Sequence, residues 1–555
     1  MSKITKILLV LILAFELGVQ LYLAKSDSQT TDEAVHVSAG YTYLTKGDFR
    51  FNPEHPPLVK LLSAIPLVFM DLKVPDDSKY WDRAEEFYYD SWLENRQYGE
   101  EFFYKIGNDA NKMLFLSRLG PIFLTLTLGV LIFFIVYKYW KEKAAIIALI
   151  LYCFNPIVIA HGHLVTTDIG VSLGFVLTVY GLSELIKKRS FSNFLIFVLG
   201  LSVAFLSKFT AVILIPCILV ALIYQLLFLK KLDKKSFWGI CGWVLVSFIV
   251  VALIIFACYG FDYKIAGDMK SFKQALSNNP AYNPSLGNLL DKLNSVRYVL
   301  VPKYFFKGIS LVIGHTQIGH SAYLLGMSSK TGWWYYFPIV FLVKNSVFFI
   351  ILFTFSIYFS VKSKDKNGFS QILLVFGIVY FLFAMTSKAN LGVRHILPFI
   401  VLLCIYISRI ILVKDAKKKF LIWTMVTIIA LESIFVFPYY MSYFNPLFGG
   451  RKKGYQVASD SNSDWGQDLK RIKSFIDKNE TEISKCTKLY VSYGWNGEAA
   501  LDYYKISRSP LTELTISTKG CIIISTSAYV MDENSWLRKF KIEKITPSAF
   551  FIRTY

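Results

Sequence analysis

The sequence predicts an all-α polytopic membrane protein with about eleven transmembrane helices and a small outer-face α/β domain at its C-terminus. Three observations carry this reading. Of 555 residues, 54% are hydrophobic and 18% charged, with mean hydropathy +0.45, whereas a soluble chain carries roughly a quarter charged residues. Apolar runs long enough to cross a hydrocarbon core of roughly 30 Å recur between residues 7 and 437. Lysine-rich connections between these runs alternate with lysine-poor ones, as the positive-inside rule requires.

The expected spans are 7–24, 119–137, 144–159, 169–186, 191–206, 211–229, 237–259, 335–361, 369–385, 396–413 and 420–437. The first run carries Glu16 and has no clear small-x-small cleavage site, so it reads as a retained anchor rather than a signal peptide. Alternate connections hold Lys138/Lys141/Lys143, Lys187/Lys188/Arg189, Lys230/Lys231/Lys234/Lys235, Lys362/Lys364/Lys366 and Lys414/Lys417/Lys418/Lys419. Lys3 and Lys6 place the N-terminus in the same set, which is read as cytoplasmic in a plasma membrane. The segments 25–115 and 260–334 and the tail from about 440 then fall outside, with all seven histidines. The net charge of +21 is explained by the basic loops, so nucleic acid is not an expected partner.

The chain divides into a transmembrane module, 1–440, and a soluble domain, 441–555. In the latter, 466–478 reads as a helix capped by Ser463 or Asp464, and 488–493 and 521–526 read as strands. Five cysteines lie in apolar runs, where they behave as small hydrophobes. Cys486 and Cys521 share the outer domain and are candidates for a disulfide.

Polar residues cluster at the outer ends of the spans, where such groups are functional candidates. Thr30-x-x-Glu33 has the spacing of a helix capping box, giving Glu33 either a capping role or a chemical one. Asp32 then lies beside the positive end of a helix dipole, which favours the ionised form that a general base needs. In His55-Pro56-Pro57-Leu58-Val59-Lys60 the prolines suit the first turn of a helix, which aims Glu54 and His55 at the same surface. The run 58–70 is too short to span and is expected to lie along the interface. His161-Gly162-His163 precedes Asp168, which is either a dipole partner or a second active-site carboxylate. Lys208 and Arg394 are outer-face cations that run against the lysine bias, and Arg suits phosphate recognition. Lys344 lies inside the eighth span, where it either snorkels outward or reaches a buried anion. Trp333-Trp334-Tyr335-Tyr336 reads as an interfacial aromatic belt, with sugar stacking as the alternative.

Together these residues resemble the polyprenyl-phosphate-dependent glycosyltransferases of the GT-C architecture, family 39, which include protein O-mannosyltransferases and lipid A aminoarabinose transferases. The resemblance rests on Asp32-Glu33, Glu54-His55-Pro56-Pro57-Leu58-Val59-Lys60, Thr166-Thr167-Asp168, Lys208 and Arg394-His395-Ile396-Leu397-Pro398. His55 looks more like the mannosyltransferases, since aminoarabinose transferases often carry Lys there. The stretch Ser459-Asp460-Ser461-Asn462-Ser463-Asp464-Trp465-Gly466-Gln467-Asp468 resembles a tail of prokaryotic members that use a phospholipid carrier.

The resemblance implies inverting sugar transfer from a polyprenyl-phosphate donor to a hydroxyl acceptor on a protein, lipid or glycan, at the outer face among membrane lipids. It makes Asp32 the base, with Glu33 or Asp168 orienting the acceptor or helping to hold a divalent cation such as Mg or Mn, for which Asp32 and Asp168 would be the ligands. Arg394 and Lys208, and more weakly Lys344, become phosphate ligands. Glu54, His55, Lys60, His163 and His395 complete the expected substrate-binding set. The competing class is a transporter or flippase of a lipid-linked sugar, expected to show internal repeats and broken helices, of which the sequence gives no sign.

Overall fold

The computed structural model describes residues 1–83, 91–229, 232–261, 301–362, 368–493 and 497–555. Lys230, Lys231, Lys364, Lys366 and residues 262–300 of the second outer segment lie outside the described residues.

Among the described residues, eight helices are long and apolar enough to cross a membrane, or nine when a sharply bent pair counts as one. Every one of the eleven expected runs is largely helical, but two do not stand as separate long helices. Ala110–Cys153 carries two of them, joined through Lys141 in a left-handed conformation (φ 68°) that turns the chain back. The second run then resumes in Pro156–Gly162, started by the Asn155 side chain, which accepts from the Ile157 amide at 2.9 Å. Phe191–Ser207 has only 17 residues, which at roughly 1.5 Å each falls short of a core roughly 30 Å thick.

The bent pair was not legible in the sequence. Tyr336–Lys344 and Val347–Lys362 meet at 114°. A broken helix leaves carbonyls that lipid cannot satisfy, so protein must supply donors. Asn445 does so: its Nδ2 donates to Leu342 O at 2.7 Å and Asn345 O at 3.1 Å, and its amide to Val343 O at 2.9 Å. Lys344 ties the same break to the chain beyond the last span, donating to Met441 O at 2.8 Å and Asn462 O at 2.6 Å over the Phe444 ring. It therefore neither snorkels nor meets an anion.

The basic connections gather at one end of the bundle. The Ser2 amide donates to Glu142 Oε1 at 2.7 Å, and Lys138 and Lys187 both reach Glu184, at 2.7 and 2.9 Å. The C-terminal residues dock at the other end, where Ser28, just past the first helix Lys3–Ser26, donates its amide to Gln467 O at 2.8 Å. Leu58–Ala64 and the 3-10 turn Ile65–Phe69 leave Ile65, Val68 and Phe69 exposed while Lys60 and Ser63 are buried, the amphipathic pattern expected of an interfacial segment.

The C-terminal residues form a four-stranded sheet. In spatial order the strands are Leu489–Ser492, Cys521–Ser525, Ala549–Arg553 and Ile542–Thr546, the first pair parallel and the others antiparallel. The inner two are buried on both faces except at Arg553, giving apolar runs without alternation, and the structure adds Ile542–Thr546 and Ala549–Arg553 to the two strands that the sequence predicts. Helix Leu469–Lys478 packs Leu469 and Ile472 on the sheet, but it starts after Asp468 rather than at Ser463 or Asp464. Gly466 at φ 97° turns the preceding residues toward the bundle instead. Cys486 and Cys521 form a disulfide with Cα atoms 5.7 Å apart, tying the lead into the first strand to the second. Both thiols are expected to resist alkylation in the folded protein until a reductant is added. Full labelling without reductant would exclude the bond.

Candidate active site

The site is built on the ends of four helices. Asp32 is the N-cap of Glu33–Lys46, but its side chain makes no cap hydrogen bond and is free to point elsewhere. Asp168 opens Asp168–Lys187, and Lys208 ends Phe191–Ser207. Arg394 lies in the 3-10 turn Val393–Ile396 that leads into Leu397–Ser408. Helix ends meet here because each span must surrender its terminal polar groups at the membrane boundary.

Arg394 stands between the two carboxylates, with Nη1 3.5 Å from Asp32 Oδ2 and 3.6 Å from Asp168 Oδ2. Lys208 Nζ donates to Asp168 Oδ1 at 2.6 Å. The carboxylates differ in access: the Asp168 side chain is 1% exposed, that of Asp32 18%. Among the described residues, Arg394 Nε is buried without a hydrogen-bond partner, as is His395 Nε2. A guanidinium with an idle buried N–H is suited to an incoming oxyanion.

All seven histidines lie at this end. The His36 and His55 rings meet edge to face at 4.9 Å, and His36 Nδ1 lies 2.6 Å from Val165 O. Burial pulls both imidazoles below their ordinary range. For His36 the Asp32 carboxylate partly opposes this, and for His55 the charges of Lys208, Lys60 and Arg394 reinforce it. Both rings are therefore neutral at pH 7. His161 packs against Trp465. His315 Nδ1 lies 3.2 Å from Glu54 Oε1. His163 turns away from Asp32, toward Asp27 Oδ2 at 3.3 Å. His395 and His320 lie within electrostatic reach of Asp168 and Asp460 respectively.

Three expected site residues are committed to the protein itself. Glu33 is fully buried and saturated. Arg118 reaches it through Nε at 2.9 Å and Nη2 at 2.6 Å, the Thr30 amide donates at 2.8 Å and the Val165 amide at 3.1 Å. Burial opposes its ionisation, but the Arg118 charge and these hydrogen bonds prevail and hold the carboxyl below its ordinary range. The capping contact to Thr30 is present, although the helix begins at Glu33, not after Thr30. Glu33 is thus a structural anion rather than a chemical one. Lys60, also fully buried, donates to Tyr43 Oη at 2.7 Å, Asn52 O at 2.8 Å and His55 O at 2.6 Å, shaping the Asn52–His55 loop. Lys344 holds carbonyls, as described above. None of the three is presented to Asp32.

The sequence also hid residues that the structure brings in. Arg118, immediately before the second expected span, is the buried partner of Glu33; a lone Arg at the head of an apolar run is the available signal. From the C-terminal tail, Trp465 lies under Arg394, with the guanidinium carbon 4.0 Å from its ring centroid. Asp460, at φ 59°, faces Arg394 and Asp32 electrostatically.

A divalent cation shared by Asp32 and Asp168 does not fit this arrangement. The Arg394 side chain lies between them, and the second oxygen of Asp168 already meets Lys208. Among the described residues, no group of three or more His, Cys, Asp or Glu side chains is disposed to hold a metal ion.

Residues 100–256 match the family model described as dolichyl-phosphate-mannose-protein mannosyltransferase. The stretch contains Arg118, His161, His163, Asp168 and Lys208. The sequence has no significant match among curated proteins. Among solved structures, the chain is similar to ArnT from Cupriavidus metallidurans in the apo state, at 11% identity and TM-score 0.48 over 98% of this chain and 97% of that one. The same protein bound to undecaprenyl phosphate gives 12% identity and TM-score 0.46 over 98% and 97%. An Archaeoglobus fulgidus oligosaccharyltransferase in complex with Zn and sulfate gives 13% and 0.48, over 90% of this chain and 61% of that one. Over residues 100–256, and in its many apolar helices, the chain is similar to the dolichyl-phosphate-mannose-protein mannosyltransferases, which are membrane glycosyltransferases.

Proposed function

We propose that the protein transfers a sugar from a polyprenyl-phosphate donor to a hydroxyl acceptor on a protein, lipid or glycan, with inversion at the anomeric carbon. The observation that carries this reading is the juxtaposition of the accessible Asp32 carboxylate with a buried guanidinium whose Nε is idle. An in-line displacement needs a base on the acceptor side of the anomeric carbon and an oxyanion ligand on the leaving-group side, and Asp32 and Arg394 supply one of each to the same site.

In this scheme the acceptor hydroxyl oxygen bonds to the anomeric carbon as its proton passes to Asp32. The bond from that carbon to the phosphate oxygen breaks, and the lipid phosphate leaves with the electron pair. Arg394 neutralises the growing phosphate charge, and Lys208 supports it while holding Asp168. Asp168 is too enclosed and too closely paired to be the first choice of base; it fixes the two cations. His36 and His55, being neutral, offer hydrogen bonds to sugar hydroxyls without competing for the phosphate, and Glu54 with His315 lines the acceptor side. The transmembrane module is placed at 1–440 and the sheet unit at 441–555, the latter and the active site facing outward and the basic loops the cytoplasm.

Purified protein incubated with a panel of polyprenyl-phosphate sugars should consume one donor and yield a glycosylated product by mass spectrometry. The bent helix pair favours a second reading, a flippase of lipid-linked sugar, because transporters use broken helices at their binding sites. In proteoliposomes, donor that changes leaflet with no product formed would support that reading instead. Arg394→Ala is expected to weaken donor binding roughly ten- to hundred-fold, the loss of a hydrogen bond to a charged group, and to lower turnover with it. Donor affinity and turnover measured on the same preparation check this.

A further inference from the structure

The segment 459–468, although it leads into the C-terminal sheet, is built into both halves of the site. On the base side, Trp465 O accepts from the Thr31 amide at 3.1 Å and lies 3.4 Å from Thr31 Oγ1, immediately before Asp32. On the cation side, Asn462 Oδ1 accepts from the Val393 amide at 2.9 Å, immediately before Arg394. The Ser461 hydroxyl donates to Leu391 O, and Gly392, at φ 142°, leaves room for it: a Cβ there would lie 2.1 Å from that oxygen. Trp465 is 4% exposed, with Arg394 stacked on its face and its amide bound to Gln467 Oε1 at 2.7 Å. Among the described residues Arg394 is otherwise held by two loose ion pairs, so the indole face is the surface that orients its plane.

We infer that Trp465 is a positioning residue for the lipid-phosphate site: its ring sets the guanidinium plane of Arg394 and its carbonyl sets the backbone of Thr31-Asp32. The interval between base and phosphate ligand is thereby fixed by the C-terminal unit rather than by the helices alone. This rests on the reading of Arg394 as the phosphate ligand. Indole is the strongest aromatic partner for a cation, and stacking leaves the N–H edge of Arg free for an oxyanion.

The test compares Trp465→Phe with Trp465→Leu in the full-length protein, using radiolabelled undecaprenyl phosphate as the probe and thermal unfolding as a control. The two replacements are similar in bulk, and only Phe keeps a π face. Trp465→Phe is expected to stay within about threefold of wild-type affinity and Trp465→Leu to lose roughly tenfold. Trp465→Leu combined with Arg394→Ala should bind no worse than Arg394→Ala alone. Equal affinities for Phe and Leu, or losses that multiply in the double variant, would overturn the inference while leaving the phosphate site in place. Unchanged affinity in Arg394→Ala itself would overturn the functional reading and this inference with it.

Discussion

Asp32→Asn is expected to lower turnover by roughly 10²–10⁴, the usual worth of a general base, with folding and donor binding largely retained. The residue makes one ion-pair contact, to Arg394 at 3.5 Å, and its side chain satisfies no buried donor at its own helix start. The amide keeps the shape and removes the proton acceptor. The lipid phosphate is held by other groups, so binding and chemistry should separate. Turnover under saturating donor, together with donor affinity on the same preparation, checks the assignment. A folded Asp32→Asn protein with near wild-type turnover would remove Asp32 from the mechanism and make Asp168 the leading candidate for the base.

Arg118→Ala is expected to produce the opposite signature, a protein that fails to fold or melts far earlier. Removing one partner of a buried ion pair typically costs about 3–5 kcal/mol, because the other charge is stranded. Here the loss is compounded. Arg118 also donates to Ala24 O at 3.0 Å, Asp27 O at 2.8 Å and Ser28 O at 2.9 Å, the carbonyls that close the first helix and begin the loop to Asp32. Detergent-solubilised melting and monodispersity would show it. A stable Arg118→Ala protein with normal melting would contradict the structural role of the pair. The pH sign follows from Glu33, whose carboxyl is held below its unfolded value. The pair's contribution is fully present above the unfolded carboxylate range, roughly pH 4, and is lost as pH falls through the folded value.

These two residues illustrate what could be read from the chain alone. Asp32 and Glu33 are adjacent, acidic and equally prominent in the sequence. Local spacing already offered Glu33 a capping contact to Thr30, and that contact is present. It could not show Arg118, 85 residues away, whose bidentate grip converts Glu33 from a candidate catalyst into an internal counter-ion. Lys60 and Lys344 follow the same rule. A lysine in an apolar setting invites an anion, but here backbone carbonyls and side-chain oxygens from a neighbouring loop take its protons.

By itself the sequence determined that the chain is a many-helix membrane protein, because hydrophobic length is a property of composition along the chain, but not where a helix breaks or how short one is. It also marked the helix ends at which Asp32, Asp168, Lys208 and Arg394 sit, because capping residues and short-range polarity are local. Only the tertiary structure decided which of those ends meet, that Arg394 separates the two carboxylates, and that Trp465 from the far end of the chain lies beneath it. Burial and ion pairing depend on which groups are brought within a few ångströms, and in a bundle of many helices that depends on packing between segments hundreds of residues apart.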